Sequence, residues 1–117
     1  MDGDWTRGNA RVDSSDRRGW LVGHFIEPSS IRHSDDVEVK WALHPRGETR
    51  SDWFTREVRT TLHLLISGRF RVQLPDEDVT LTEQGDYVMW GPGVDHNYEA
   101  LEDSVVLAVR WPSLELG

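Results

Sequence analysis

Residues 85–96 read Gly-Asp-Tyr-Val-Met-Trp-Gly-Pro-Gly-Val-Asp-His, an apolar run between two groups of turn residues. The Gly-Asp pair at its start is typical of a tight turn that precedes a strand. The apolar run predicts a short buried strand. The Gly-Pro-Gly segment predicts a second turn, and this turn would point His96 toward the interior. The stretch therefore predicts a strand that ends by delivering a histidine to the inside of the protein.

The rest of the chain repeats this alternation of short apolar runs and turn residues. Runs rich in Val, Leu, Ile, Trp and Phe are separated by Gly, Pro and Asp, which is typical of strands and turns. No window carries apolar residues at helical spacing, so we expect no long helix. The predicted strands cover residues 20–26, 37–43, 59–67, 69–74, 79–81, 86–90, 96–99 and 105–111. Many short strands in 117 residues predict a β-sandwich or a closed β-barrel.

The stretch 85–96 resembles the second sequence motif of the cupin superfamily. That motif joins a Gly-Asp turn, an apolar strand, a Pro-x-Gly turn and a histidine. Every position but one fits, since Gly91 stands where proline is usual and Pro92 follows it. The resemblance covers about residues 37–112. It implies an all-β fold, a cupin-type antiparallel β-barrel (jelly roll) in a single domain.

The first cupin motif is matched only in its second half. Residues 64–70 resemble its apolar strand, its turn glycine and the strand that follows. Counting along the motif puts Thr61 at the position of the family's metal-binding glutamate, and Trp53 and Thr55 at its two histidine positions. Of the ligands that the resemblance implies, His96 alone is present. The resemblance therefore implies the barrel without a complete metal site.

The predicted strand 59–67 has two faces, and either could be buried. One face is aliphatic and carries Leu62, Leu64 and Ile66. A simple hydrophobic interpretation buries that face, whereas the cupin resemblance turns Thr61 and His63 inward. We favour the cupin interpretation, because the glycine-punctuated match is more specific than an aliphatic stripe. The aliphatic face would then form an exposed patch of the kind that monomers usually avoid, so we expect a homodimer.

His63 and His96 are the predicted catalytic residues. His96 occupies the ligand position of the matched motif, and the alternative is a structural histidine at a turn. His63 lies about 6–7 Å along the strand from Thr61 and can reach a shared site; the alternative is a buried histidine bonded to Thr61 or to a backbone carbonyl. The pair would act as metal ligands or as general acid and base. Because two imidazoles make a weak site, we expect a divalent metal to be weakly bound or absent unless another ligand completes the set.

The expected lining of the substrate pocket consists of Trp53, Arg59, Thr61 and Tyr98. Trp53 could line a pocket for a planar or apolar molecule, or close the barrel mouth as a loop tryptophan. Arg59 could pair with a ligand carboxylate or phosphate. Alternatively it is a rim arginine held by Glu57, which we favour. His44 and His24 are interpreted as structural histidines of strands.

Composition excludes several classes of protein. A net charge of −8 argues against binding nucleic acid, and the absence of cysteine excludes disulfides and a thiol nucleophile. No apolar run is long enough to span a membrane and the N-terminus does not resemble a secretory signal, so we expect a cytoplasmic protein. Residues 1–18 are mostly polar, and we expect a flexible tail there, with Trp5 able to dock, before a cupin barrel over residues 19–117.

Three functions remain open at this point. The first is an enzyme, such as an isomerase, cyclase or dioxygenase, that acts on a small organic metabolite in the barrel cavity. The second is a metal-free ligand-binding or sensing protein, and the third is an accessory dimerisation module. The loss of motif ligands favours the last two, whereas His63 beside the empty glutamate position favours the first. We favour a small-molecule-binding cupin with enzymatic activity.

Overall fold

The computed structural model describes residues 4–115, and this range contains eight β-strands. They are β1 Trp20–Val22, β2 Glu38–His44, β3 Thr60–Ser67, β4 Phe70–Gln73, β5 Asp78–Leu81, β6 Tyr87–Trp90, β7 Asn97–Ala100 and β8 Ser104–Trp111. Each strand overlaps one predicted run. Helix in the described residues is limited to α1 Ala10–Asp13 and a 3₁₀ turn, Ser15–Arg17, which confirms the expected lack of long helices. None of these helical segments could cross a membrane.

The strands pair antiparallel in two sheets. The larger sheet has the order β1-β2-β8-β3-β6, and the smaller has the order β5-β4-β7. Strands far apart in sequence, such as β2 and β8, are therefore neighbours, as in a jelly roll. The predicted all-β fold is confirmed, and its strand pairing divides it into the two layers of a sandwich.

An apolar core joins the two sheets. Phe70 and Val72 of the smaller sheet belong to one cluster with Leu65 and Val106 of the larger sheet, and each of the four is at most 1% exposed. Burying a side chain of this size contributes roughly 1.5–3 kcal/mol. This cluster therefore holds the sandwich together.

The opposite face of the larger sheet is also apolar. The strand register places its side chains in two rows, Trp41, Leu107, Leu64 and Tyr87 in one and Val39, Val109, Leu62 and Met89 in the other. Tyr87 and Met89 are 64% and 54% exposed, whereas Thr61 and Leu65 of β3 are 1% exposed. The interpretation that turns Thr61 and His63 inward is therefore confirmed.

The segment before β1 runs along β2, the strand next to β1 in the larger sheet. The backbone carbonyl of Gly19 accepts a hydrogen bond from the Trp41 N–H at 2.8 Å. A Cβ on Gly19 would lie 2.3 Å from the Trp41 carbonyl oxygen, at a φ of +99°, so this position requires glycine. Ser14 is buried, whereas Trp5 is 78% exposed. The predicted tail, residues 1–18, therefore contains α1 and the 3₁₀ turn. Residues 1–3 lie outside the described range. The flexibility of the tail stays a prediction.

The stretch 85–96 folds as two fixed turns around β6. The Asp86 carboxylate accepts two backbone N–H bonds at 3.1 and 3.0 Å, and these bonds lower its pKa. Gly93 has a φ of +83°. Its N–H donates to the Glu57 carbonyl at 2.7 Å. This bond ties the turn to the neighbouring loop and fixes the approach of the chain to His96.

Candidate functional site

A cavity of about 250 Å³ lies between the sheets. Strands β2, β3 and β8 line it with inward-facing positions, and the loops before β3 and β7 complete it. Its ionisable lining side chains are Lys40, His44, Arg50, Glu57, His63, His96, Tyr98 and Arg110. Along β2, β3 and β8 the inward-facing side chains are therefore apolar in the core and mostly polar at the cavity.

His96 is held at the cavity wall by the segment before β7. Its backbone exchanges hydrogen bonds with Phe54 at 3.1 and 2.7 Å. Its imidazole stacks on the Phe54 ring, with centroids 4.9 Å apart and 12° between the planes. Nδ1 lies 3.1 Å from the Val94 carbonyl, so the neutral ring donates there and keeps Nε2 as an acceptor. Burial lowers the pKa of His96 and favours this neutral form.

His63 projects from β3 into the same cavity. Its Nδ1 is buried and has no hydrogen-bond partner among residues 4–115. Its ring meets the Trp90 ring edge-on, with centroids 4.9 Å apart. Burial, with smaller contributions from His44 and His96, lowers the pKa of His63 to about 3. The imidazole is therefore neutral at neutral pH.

The structure brings the two predicted site histidines together. The centroid of the His96 ring lies 4.6 Å from that of Trp90, which His63 also contacts, so the two imidazoles are no more than about 10 Å apart. One small molecule could reach both rings. Because burial lowers both pKa values, each ring stays neutral and is suited to hydrogen bonding rather than to acting as an imidazolium acid.

His44, interpreted from the sequence as structural, lines the cavity and has a carboxylate partner. Its Nδ1 lies 2.5 Å from Glu48 Oε1, and the Tyr98 hydroxyl donates to the same oxygen at 3.1 Å. Burial, followed by Glu48, raises the pKa of Tyr98 to about 12, so the phenol stays protonated. Burial lowers the pKa of His44, against the opposing effect of Glu48. The alternation along β2, which puts His44 on the polar face with Lys40, is the signal that could have found it.

Lys40 and Arg110 lie against the same aromatic ring. The Lys40 Nζ and the Arg110 guanidinium carbon are 5.3 and 4.5 Å from the centroid of Trp20. Arg110 forms an ion pair with the buried carboxylate of Glu38 and lies 3.9 Å from Glu57. The charge of Arg110 is therefore compensated inside the protein.

Arg50 lies beside the wall that Phe54 forms. Its guanidinium carbon is 4.4 Å from the centroid of the Phe54 ring. In the described part of the chain, neither Arg50 nor Lys40 has a carboxylate within ion-pair distance. Two positive charges at the cavity are therefore available to a ligand.

Of the side chains expected in the substrate pocket, Thr61 and Tyr98 line the cavity. Thr61 is 1% exposed, and its Oγ1 has no hydrogen-bond partner within residues 4–115. Trp53 lies outside the cavity lining and is 42% exposed. Arg59 also lies outside it, buried, with its guanidinium 2.8 Å from a Glu57 oxygen. The arginine is thus held by Glu57, the alternative that the sequence analysis favoured.

The donor set does not fit a metal centre with three protein ligands. Residues 4–115 contain no group of three His, Asp or Glu side chains that could hold a metal ion. Thr61, Trp53 and Thr55 occupy the motif positions where cupins carry metal ligands. His63 and His96 alone would leave a bound zinc or iron ion one protein ligand short.

Solved structures with similar backbones include three that bear on the fold. KdgF from Halomonas sp. matches with a TM-score of 0.63 and 25% identity, over 71% of this chain and 74% of that protein. A cupin superfamily protein from Desulfitobacterium hafniense gives 0.60 and 20%, over 67% and 69%. An RmlC-like cupin from Shewanella frigidimarina gives 0.60 and 17%, over 69% and 70%. No protein-family model and no curated protein matches the chain.

Proposed function

Because the chain has the cupin fold, we propose that its cavity binds a small organic anion, a metabolite with at least one carboxylate. One observation carries this proposal, the sign of the charge at the cavity. Lys40 and Arg50 line it, and neither has an ion-pair partner in residues 4–115, in a chain whose net charge is −8. The other two charges of the lining are compensated, Arg110 by Glu38 and Glu57 by Arg59. A positive cavity in an acidic protein concentrates anions and repels cations.

The cations without ion pairs indicate where a carboxylate would bind. Arg110 is compensated by Glu38, which leaves Lys40 and Arg50. A guanidinium can hold a carboxylate through two parallel N–H bonds. The Phe54 ring lies 4.4 Å from the guanidinium carbon of Arg50 and supports it through a cation–π contact. Arg50 is therefore the expected carboxylate partner.

Neutral polar atoms would bind the remainder of the ligand. His63 Nδ1 and Thr61 Oγ1 are buried without partners in the described range, and an unpaired buried polar atom costs about 1–3 kcal/mol. A ligand hydroxyl or carbonyl that paired with them would recover this energy. His96 would add an acceptor at Nε2. These atoms support a ligand that carries polar groups besides its carboxylate.

Titration calorimetry with matched pairs tests the anion site. Lactate and pyruvate should bind, whereas lactamide and pyruvamide, which have the same shapes without the charge, should not. Arg50→Ala should weaken binding by at least about tenfold, as expected for a charge-assisted hydrogen bond of 1.5–3 kcal/mol. Arg46→Ala, at an exposed arginine outside the cavity, is the matched control. Equal binding of acids and amides would overturn the proposal.

We propose further that this binding needs no divalent metal, because the donor set lacks a third ligand. Protein stripped with EDTA should bind lactate with unchanged affinity. Elemental analysis after dialysis should find less than one zinc, iron or manganese ion per chain. One tightly held ion per chain, lost together with lactate binding, would contradict this.

Proton transfer is the reaction class that the site favours for an enzyme. The specific observation is the Glu48 oxygen that contacts both His44 Nδ1 and the Tyr98 hydroxyl. This carboxylate orients the imidazole so that Nε2 can accept a proton, while His63 and His96 hold the ligand. Exchange of the pyruvate methyl protons in D₂O, followed by NMR, should be faster with the protein than without it. His44→Gln should remove the acceleration, and His33→Gln, at a histidine outside the cavity, should retain it.

We also propose a homodimer that forms through the outer face of the larger sheet. Leu43, Tyr87 and Met89 on this face are each more than half exposed, and the rows between them are apolar across four strands. A second copy offers the same uncharged surface, as a two-fold interface requires. Covering an exposed apolar patch of this kind supplies the driving force for association.

Light scattering tests the dimer. The protein should be dimeric at high micromolar concentration, and Met89→Glu should make it monomeric, since a carboxylate would be buried at the interface. Ile31→Glu places the same charge at an exposed loop residue away from the sheet and should leave the dimer intact. A monomeric wild-type protein would contradict the proposal.

A further inference from the structure

Lys40 is the only lysine in the chain, and every other member of the 13 basic residues is an arginine. If the cavity needed only a positive charge at this position, arginine would supply it, as it does everywhere else. The two side chains differ in chemistry. A guanidinium stays protonated, whereas a buried ammonium can lose its proton and act as a nucleophile. The single lysine of the chain therefore lines the cavity, where its amine could act as a nucleophile.

The surroundings of Lys40 make its ammonium lose a proton more readily than that of an exposed lysine. It occupies an inward-facing place on β2, where its stem lies against Gly19 and its Nζ is 5.3 Å from the centroid of Trp20. Burial, followed by the charge of Arg110 on β8, lowers the pKa of the Lys40 ammonium. Of the other charged groups around it, Glu48 opposes this shift and Arg18 adds to it.

A ligand held in the cavity would meet both Lys40 and Arg50. The two side chains line the same cavity, and neither has a carboxylate partner in residues 4–115. His44, which also lines the cavity, can take up a proton at Nε2, because its Nδ1 is engaged by Glu48. The cavity thus combines a carboxylate-binding group, an amine and a proton acceptor.

Building on the anion-binding function above, we propose that Lys40 forms an imine with the carbonyl carbon of a small keto or aldehyde acid whose carboxylate is bound by Arg50. The Nζ lone pair forms an N–C bond while the carbonyl π pair moves to oxygen. One proton leaves Nζ and one joins the oxygen, which gives a carbinolamine. The hydroxyl then takes up a proton and leaves as water while the nitrogen lone pair forms the C=N bond, and the remaining N–H proton is released, which gives the neutral imine. No net oxidation or reduction occurs.

Reductive trapping tests this step. The protein is incubated at neutral pH with pyruvate and sodium cyanoborohydride, which reduces an imine to a stable secondary amine. Peptide mass mapping should find Lys40 heavier by pyruvate plus two hydrogens less one water. Lactate, which lacks the carbonyl, should give no adduct and should compete with pyruvate.

An Arg46→Lys variant provides an internal control, since it places a second lysine on the surface of the same chain. Lys40 should be labelled at least about tenfold faster than this introduced lysine, because its amine is less protonated and its cavity binds the carboxylate. Lys40→Arg keeps the positive charge and should bind pyruvate without forming the adduct.

The outcomes separate the two proposals. If pyruvate binds and the acid–amide difference holds, but Lys40 is trapped no faster than the surface lysine, the imine is overturned and the anion site stands. If neither lactate nor pyruvate binds and no adduct forms, both are overturned. Selective trapping of Lys40 that Arg50→Ala slows supports both.

Discussion

The two ends of the sandwich interior are filled with opposite chemistry. At one end Leu65, Phe70 and Val106 pack together, with at most 1% of each side chain exposed. At the other end the carboxylate of Glu38, 0% exposed, faces the guanidinium of Arg110 and accepts a hydrogen bond from the Ser113 hydroxyl at 2.8 Å. The same strands β2, β3 and β8 supply both ends.

This difference indicates that the apolar end serves the stability of the fold and the charged end serves the cavity. Apolar burial stabilises the first end without any specific partner. At the second end each buried charge is tolerable only because another compensates it, and replacing such a set by apolar residues often costs nothing. The stability of the fold does not require this buried ionic set. Because the set lies directly behind a cavity, we infer that the cavity depends on it. Glu38 positions Arg110, and Arg110 lies beside Lys40 and Trp20 in the cavity wall.

The largest expected effect is at the charged end. Glu38→Ala would remove the fully buried carboxylate that Arg59 and Arg110 share and leave them only Glu57, which lies 2.8 Å from Arg59 and 3.9 Å from Arg110. Arg59 Nε now lies 3.3 Å from Glu38 Oε1, a contact of opposite charges without hydrogen-bond alignment. Removing one partner of a buried ionic set costs about 3–5 kcal/mol. Urea denaturation should show the loss as a lower midpoint with an unchanged slope.

Two further variants make that result interpretable. Glu38→Gln retains the size and the hydrogen bond to Ser113 and loses only the charge, so it should fold and should still be destabilised. Asp36→Ala removes an exposed carboxylate nearby and should change stability by less than about 0.5 kcal/mol. Equal effects of Glu38→Gln and Asp36→Ala would show that the charged end needs no compensation.

The second prediction concerns the apolar end. Leu65→Ala should lower the free energy of unfolding by about 2–5 kcal/mol, through lost burial and the cavity left behind. Leu43→Ala removes the same atoms from a side chain that is 57% exposed, and in the monomer it should cost far less. The lactate affinity of folded Leu65→Ala should be unchanged. A loss of affinity there would mean that the two ends are not independent.

The sequence predicted more about the apolar end than about the charged one. Runs of Val, Leu and Ile bounded by glycines define strands locally, and all eight were found with bounds shifted by a few residues at most. The orientation of β3 followed from a motif remote in sequence, the one that ends at His96. The ion pairs of Glu38 could not be predicted, because Arg59 lies just before β3 and Arg110 lies on β8, and the pairing depends on the register of β3 and β8. His44 was interpreted as structural, since its partner Glu48 gives no periodic signal.

The third prediction concerns His63, which lies between the two ends. Its ordinary pKa of 6.5 applies in the unfolded chain, whereas burial lowers its pKa to about 3 in the fold. Below pH 6.5 the unfolded chain therefore takes up a proton that the native protein does not. Stability is lost as the pH falls from 6.5 toward 3, by about 1.4 kcal/mol per pH unit. At about pH 5 the loss should reach roughly 2 kcal/mol.

Comparison with His63→Leu isolates this contribution. The variant has no imidazole to protonate at this position, so its urea midpoint should fall less between pH 7.5 and about pH 5 than that of the wild type. His44 and His96 shift in the same direction and remain in both proteins, so they cancel in the difference. Identical pH dependence in the two proteins would show that His63 is not kept neutral by burial.

The smallest effect is expected at Tyr98, which joins the two ends. Its ring stacks on Phe70 of the core with centroids 5.3 Å apart, while its hydroxyl donates to Glu48 in the site at 3.1 Å. Tyr98→Phe keeps the stacked ring and removes only the hydroxyl, so unfolding should become easier by about 0.5–1.5 kcal/mol. Tyr87→Phe, at a ring that is 64% exposed, should be neutral. Because Glu48 would then have His44 as its main partner, Tyr98→Phe should also raise the pKa of the His44 imidazole. The pH dependence of the C–H proton resonances of His44 in NMR would measure this pKa. An unchanged pKa would show that Tyr98 does not influence the histidine–carboxylate pair.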